Sequence, residues 1–174
     1  MASRLNIPLT SIEMWQPDYG FVSYGNMPFN QLKTLVDCHL DYLNDIGVDR
    51  VLIGCFTISC LLADYIRSKV DIPVIDVYSG IPKLPNNTVV LCTKRSAEVF
   101  KHQYQNTVVC KELASIIERG FDNKTIKAFL RGYLVGVPKG RPVLVACTHY
   151  YYCLDLIKEV MRPEIVYTPE MFIK

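Results

Sequence analysis

Two short apolar runs mark the chain, Val51-Leu52-Ile53-Gly54 and Val143-Leu144-Val145-Ala146, and each leads straight into a cysteine, Cys55 and Cys147. A polar triplet and then a segment of helical periodicity follow each one. Aliphatic and β-branched runs that give way to a 3.6-residue period read as buried parallel strands feeding helices. Both cysteines are therefore expected at the carboxyl end of a strand, just before a helix start. Open α/β sheets bind their ligands at such ends. A helix start also favours an anion there, either a thiolate or a substrate carboxylate.

The same alternation runs through the rest of the chain. Leu32, Leu35, Val36, His39, Leu40 and Leu43 predict a helix over 29–46, stopped at Gly47. Strands are expected at 49–54 and 72–77, with a helix over 59–69 between them, which makes a right-handed crossover unit. The stretch 79–87, with Gly80, Pro82 and Pro85, reads as a linker. Beyond it the pattern predicts strands at 88–92, 107–110, 143–147 and 165–168. Helices are expected from about 93, over 111–119, over 123–135 and over 151–161. Before residue 29 only a strand at 11–15 and turns at 17–20 and 24–26 can be read. The fold class expected is α/β, with two pseudo-symmetric three-layer lobes, mainly parallel sheets and a cleft between them. The first lobe would span 1–79 and carry Cys55, with 168–174 as a candidate return to it. The second would span 80–167 and carry Cys147.

Bulk properties narrow the function. Half of the 174 residues are hydrophobic, so a packed core is expected. The formal net charge is only +2, with no basic run in sequence, which argues against nucleic acid. No apolar stretch approaches a membrane span and no signal-peptide core opens the chain, so a cytoplasmic protein is expected. The seven cysteines are Cys38, Cys55, Cys60, Cys92, Cys110, Cys147 and Cys153. An odd count without a Cys-x-x-Cys pair argues against a disulfide framework and structural zinc, and no metal or cofactor is expected. Cys38, Cys60, Cys110 and Cys153 read as packing residues.

One cysteine from each of two similar lobes suggests proton transfer on both faces of one small substrate. A thiolate would remove a proton from carbon while a thiol delivers one from the opposite side. Thiol pKa values lowered at helix starts would let such a pair straddle neutrality. Thr57, Ser59, Thr93, Ser96 and Thr148 offer hydroxyls to a carboxylate, and His149 is placed to orient the second thiol.

These residues resemble a known family. Ala146-Cys147-Thr148-His149-Tyr150 is similar to the second cysteine motif of glutamate racemases, Gly-Cys-Thr-His-Tyr. Gly54-Cys55-Phe56-Thr57-Ile58-Ser59 resembles the first, Ala-Cys-Asn-Thr-Ala-Ser. Ser23-Tyr24-Gly25 resembles the family's Pro-Tyr-Gly loop, Cys92-Thr93-Lys94-Arg95-Ser96 its Gly-Thr-x-x-Thr loop, and Ile117-Glu118-Arg119-Gly120 the segment with its supporting glutamate. Two departures stand out: Phe56 replaces the family's asparagine, and no Asp-Ser pair occurs. The resemblance implies a cofactor-independent amino-acid racemase of the aspartate/glutamate racemase superfamily. Cys55 and Cys147 would be its opposed bases, assisted by His149 and Glu118. Tyr24, Gly25, Thr57, Thr93, Ser96 and Thr148 would hold a small amino-acid or carboxylate ligand. The alternative expectation is a catalytically silent relative that binds such a ligand or a protein. A homodimer is also expected, because a lobe short of one strand leaves an edge for a partner to cover.

Overall fold

The computed structural model describes residues 24–173. The strand expected at 11–15, the turn at 17–20 and Ser23 lie outside the described residues. A 3₁₀ turn, Tyr24–Asn26, leads into α1, Phe29–Asp45. Leu32, Val36 and Leu40 form its buried stripe, and Gly47 ends the excursion in the left-handed region (φ 67°). Strand β1, Val51–Ile53, then α2, Phe56–Arg67, then β2, Val74–Asp76, complete a parallel crossover unit. Helix α2 begins three residues earlier than its periodicity suggests, because Cys55 itself takes the N-cap position.

After a linker the second sheet is built from β3, Val89–Cys92; β4, Asn106–Val109; β5, Val143–Ala146; and β6, Val166–Tyr167. Its order is β4-β3-β5-β6, and every pairing is parallel. Helices α3, Ala97–Phe100; α4, Leu113–Glu118; α5, Asn123–Tyr133; and α6, Leu154–Met161 flank it. The two central strands are apolar on both faces, as a sheet covered on both sides requires. Val89, Leu91, Val143 and Val145 point into one core with Leu113, Leu130 and Ile157. Val90, Cys92, Leu144 and Ala146 point into another with Ala97 and Phe100. The fold is thus α/β with parallel sheets. Among the described residues the lobes are unequal, two strands against four.

Three local expectations need correction. The helix after Cys147 begins as a 3₁₀ stretch, Thr148–Cys153, and becomes α-helical only at Leu154. The helix expected from about residue 93 is a turn followed by a single α-helical turn, Ala97–Phe100. Cys38 is exposed, not packed: it falls between the buried Val36 and Leu40 but outside their stripe.

The candidate active site

Parallel strands bring their carboxyl ends to one edge, and the chemistry-bearing residues collect there. Cys55 follows β1 and Cys147 follows β5; each is the N-cap of the helical segment after it, with extended backbone. Cys147 is 6 % exposed, and Cys55 is half-buried. Burial, and after it negative charge on Cys55, pushes the Cys147 thiol up.

A cluster of three hydroxyls joins the lobes beside them. Thr57 Oγ1 lies 3.0 Å from Thr93 Oγ1 and 3.3 Å from Ser96 Oγ, and Thr93 and Ser96 are 3.1 Å apart. All three are buried. Each satisfies its neighbours, so none is left as an orphaned polar group. Gly25 packs directly on Thr93: an added Cβ would lie 2.7 Å from Thr93 Oγ1 and closer still to its carbons. The Gly25 carbonyl accepts from the Arg95 amide at 2.9 Å. This close approach carries Tyr24 to the site, where burial, then the charges of Cys55 and Glu118, push its phenol up.

The His149 and Glu118 side chains meet, with Nε2 3.0 Å from Oε1. The imidazole pairs with Glu118, and it is the His149 backbone amide, with that of Tyr150, that favours the Cys147 thiolate. Thr148 opens the 3₁₀ stretch between them and is half-buried.

The electrostatics overturn the expectation of lowered thiol pKa values. Burial pushes both Cys55 and Cys147 up from the ordinary thiol range. The amides of Ile58 and Thr57 and the Thr57 hydroxyl oppose this at Cys55 without prevailing. Helix starts stabilise a thiolate through a few oriented N–H groups, whereas burial strips the whole hydration shell. Among the described residues no cation is a leading cause acting on either thiol.

Two participants escaped the sequence reading. Cys60 sits on α2 within reach of Ser96 and Cys55, and burial pushes its thiol to about 12. Asp76, at the carboxyl end of β2, is buried with four partners. Its carboxylate accepts from the Tyr78 and Ser79 amides (2.7 and 2.8 Å), the Ser79 hydroxyl (2.6 Å) and the Arg67 guanidinium. A lone acidic residue closing an apolar strand is the signal that could have found it. Of the tyrosine triplet, Tyr150 is fully buried and donates to the Cys110 carbonyl at 2.9 Å, while Tyr152 lies exposed.

No protein-family model matches the chain. Among curated proteins it is similar to the glutamate racemase of Fusobacterium nucleatum, 29 % identical over 181 residues, covering 86 % of this chain and 67 % of that protein. Over most of its length the chain is similar in sequence to glutamate racemases. Solved glutamate racemases share its fold. That of Thermus thermophilus, in complex with β-chloro-D-alanine, superposes with a TM-score of 0.75 at 19 % identity, over 87 % of this chain and 62 % of its own. That of Francisella tularensis, in complex with D-glutamate, gives 0.71 at 22 %, over 83 % and 61 %. The chain therefore spans about three fifths to two thirds of the length of these superfamily members.

Proposed function

We propose that the chain is a cofactor-independent amino-acid racemase in which Cys55 and Cys147 act from opposite faces of the substrate α-carbon. The observation that carries the reading is the matched placement of the two thiols, each the N-cap of the segment that follows a parallel strand, in two different sheets. One thiolate takes the α-proton and becomes a thiol. The carbanion then takes a proton from the opposite thiol, which is left as the thiolate. The pair ends each turnover with its protonation exchanged. Raised thiol pKa values suit this chemistry: a desolvated thiolate is scarce but strongly basic, and an α-proton is hard to remove. The substrate's α-ammonium group would supply the missing positive charge and favour ionisation on binding.

In this reading Thr57, Thr93 and Ser96 exchange their mutual hydrogen bonds for the substrate carboxylate. Gly25 holds the Tyr24 turn against them, Thr148 adds a hydroxyl, and Glu118 fixes the His149 ring beside Cys147. The substrate class is a small α-amino acid of the glutamate type. That class is supported by the D-glutamate bound to the Francisella tularensis relative. The two lobes divide at the linker near residue 79, and the protein works in the cytoplasm as a homodimer.

The second reading, a silent binder of a small carboxylate or of a protein, is favoured by Phe56. An aromatic ring buried in the core stands where the family has an amide. Solvent exchange decides between them. The wild-type chain in D₂O should introduce deuterium at the α-carbon of D- or L-glutamate or a related amino acid, and Cys55→Ala and Cys147→Ala should each stop it. Exchange that survives both substitutions removes the two-thiol mechanism. Calorimetric binding with no exchange in the wild type leaves the silent binder.

A further inference from the structure

At the end of the second sheet away from Cys147, α5 and α6 lie side by side and their last turns enclose a concavity of about 460 Å³. Its lining is Lys127, Arg131, Lys139, Glu159, Val160 and Arg162. Residues 139–141 lead into the start of β5, and the Gly140 amide donates to the Met161 carbonyl at 3.0 Å, which holds this loop against the end of α6. Lys127 pairs with Glu159, so one of the four cations is neutralised. Arg131, Lys139 and Arg162 have no ion-pair partner among the described residues.

The plain explanation is that these cations complement the helix dipoles, since Arg131 lies in the last turn of α5 and Arg162 caps α6. Two helix ends together present roughly one negative charge. Four cations against the one carboxylate of Glu159, which both Lys127 and Arg131 favour, leave a net surplus that exceeds this, concentrated in one hollow. The backbone points the same way. Arg162 is the one non-glycine residue with positive φ (47°) among the described residues, whereas Gly47, Gly120, Gly136 and Gly140 take that region elsewhere. Glycine would occupy position 162 without strain. An arginine stands there at a conformational cost.

We propose that this concavity binds a phosphoanhydride group, either free diphosphate or the diphosphate tail of a nucleotide. Each guanidinium presents a fork that pairs with two oxygens at once. Two arginines and a free lysine around one hollow therefore call for several adjacent oxygens and about three negative charges. A diphosphate provides two linked tetrahedral anions; a single carboxylate or sulfate does not. The volume lies within the range of small-molecule sites.

The test is calorimetric titration of the full chain with sodium pyrophosphate and, separately, ADP. Metal is omitted and ionic strength is held constant with chloride. Saturable one-to-one binding is expected, weakened about tenfold or more by Arg131→Gln and by Arg162→Gly, as loss of a charge-assisted contact requires. Lys83→Gln, outside the hollow, should bind like the wild type. Arg162→Gly carries an internal control: relieving the backbone should raise its melting temperature while affinity falls, so misfolding cannot explain the loss. Tighter binding of ADP than of pyrophosphate identifies a nucleotide tail, and equal binding identifies the free anion; either supports the site. Absence of saturable binding overturns the proposal. So does undiminished affinity in both arginine variants, or citrate binding as tightly as pyrophosphate.

Discussion

Replacing Asp76 by asparagine should reveal how firmly the first sheet is anchored to the linker that leads to the second. The carboxylate is fully buried and receives two backbone amides, one hydroxyl and one guanidinium. Asparagine keeps one oxygen for the Tyr78 and Ser79 amides. Its other terminus becomes an NH₂ that faces two donors, the Ser79 hydroxyl and Arg67. One charge-assisted interaction is lost, worth about 1.5–3 kcal/mol, and a buried donor is left unsatisfied at about 1–3 kcal/mol. The expected cost is about 3–5 kcal/mol at pH 7, the middle of their combined range, because the Arg67 side chain is 35 % exposed and water screens part of the charge loss. For a chain of this size that lowers the melting temperature by about 6–20 °C. The pH dependence fixes the cause. Although burial raises the Asp76 carboxyl, the hydrogen bonds from Ser79, Tyr78 and Arg67 prevail and hold it below its ordinary value of 3.8. A carboxyl with a depressed folded-state pKa stabilises the fold fully above its unfolded pKa, and that contribution disappears as pH falls through the folded value. Urea denaturation from pH 7 down to pH 3 should therefore show the gap between wild type and Asp76→Asn narrowing only below about pH 4. A gap under about 1 kcal/mol at pH 7, or one that stays constant across the range, would refute the reasoning.

Two further outcomes follow from the site. Cys55→Ser removes one of the negative charges that push Cys147 up, so the pH profile of Cys147 alkylation, followed by mass spectrometry, should move to lower pH. Burial is the larger cause and remains, so the profile should stay above that of an ordinary thiol; an unmoved profile would mean that the sulfurs do not face each other. Gly25→Ala forces a methyl group into Thr93 and should lower kcat/KM by about 10²-fold through displacement of roughly an ångström, with a stability cost of about 1–3 kcal/mol. Wild-type kinetics in that variant would show that the turn at Tyr24 plays no part in holding substrate.

Much of this was legible from periodicity alone. Val51–Ile53 and Val143–Ala146 are strands because an aliphatic run of that length cannot be satisfied on a surface, and a following amphipathic segment must cover it. The placement of Cys55 and Cys147 at strand ends follows from the same pattern. The sign of their titration shift does not. Local sequence identifies the amides near each sulfur, but the extent of burial depends on neighbours from other elements, such as Met27 and Leu32 in the core beside Cys55 and Leu113 and Leu130 in the core around Cys147. Asp76 was missed for a related reason. In sequence it looks like an interruption of an apolar strand, and only the fold brings Arg67 from α2 to meet it. Cys38 shows the limit of period counting, since one residue's rotation around α1 separates a packed thiol from an exposed one.

Phe56 connects these observations. It is the first residue of α2, next to Cys55, yet its ring lies in the core of the second sheet with Val90, Cys92, Ala97 and Phe100, 6.1 Å from the Phe100 ring centre. Val77, just past β2, enters the same core, and so does Phe172 near the end of the chain. The residue that precedes the hydroxyl cluster thus nails the start of α2 to the opposite lobe. An amide at that position would offer a substrate hydrogen bond but would gain nothing from this core. A phenyl ring offers no hydrogen bond and contributes about 1.5–3 kcal/mol of burial, with a tilted aromatic contact in addition. The exchange trades a ligand contact for fixed spacing between Cys55 and the Thr93 loop. Under the proposed mechanism a site held this way would be organised before substrate arrives, and the three mutually bonded hydroxyls, rather than a side-chain amide, would be the groups that receive the carboxylate.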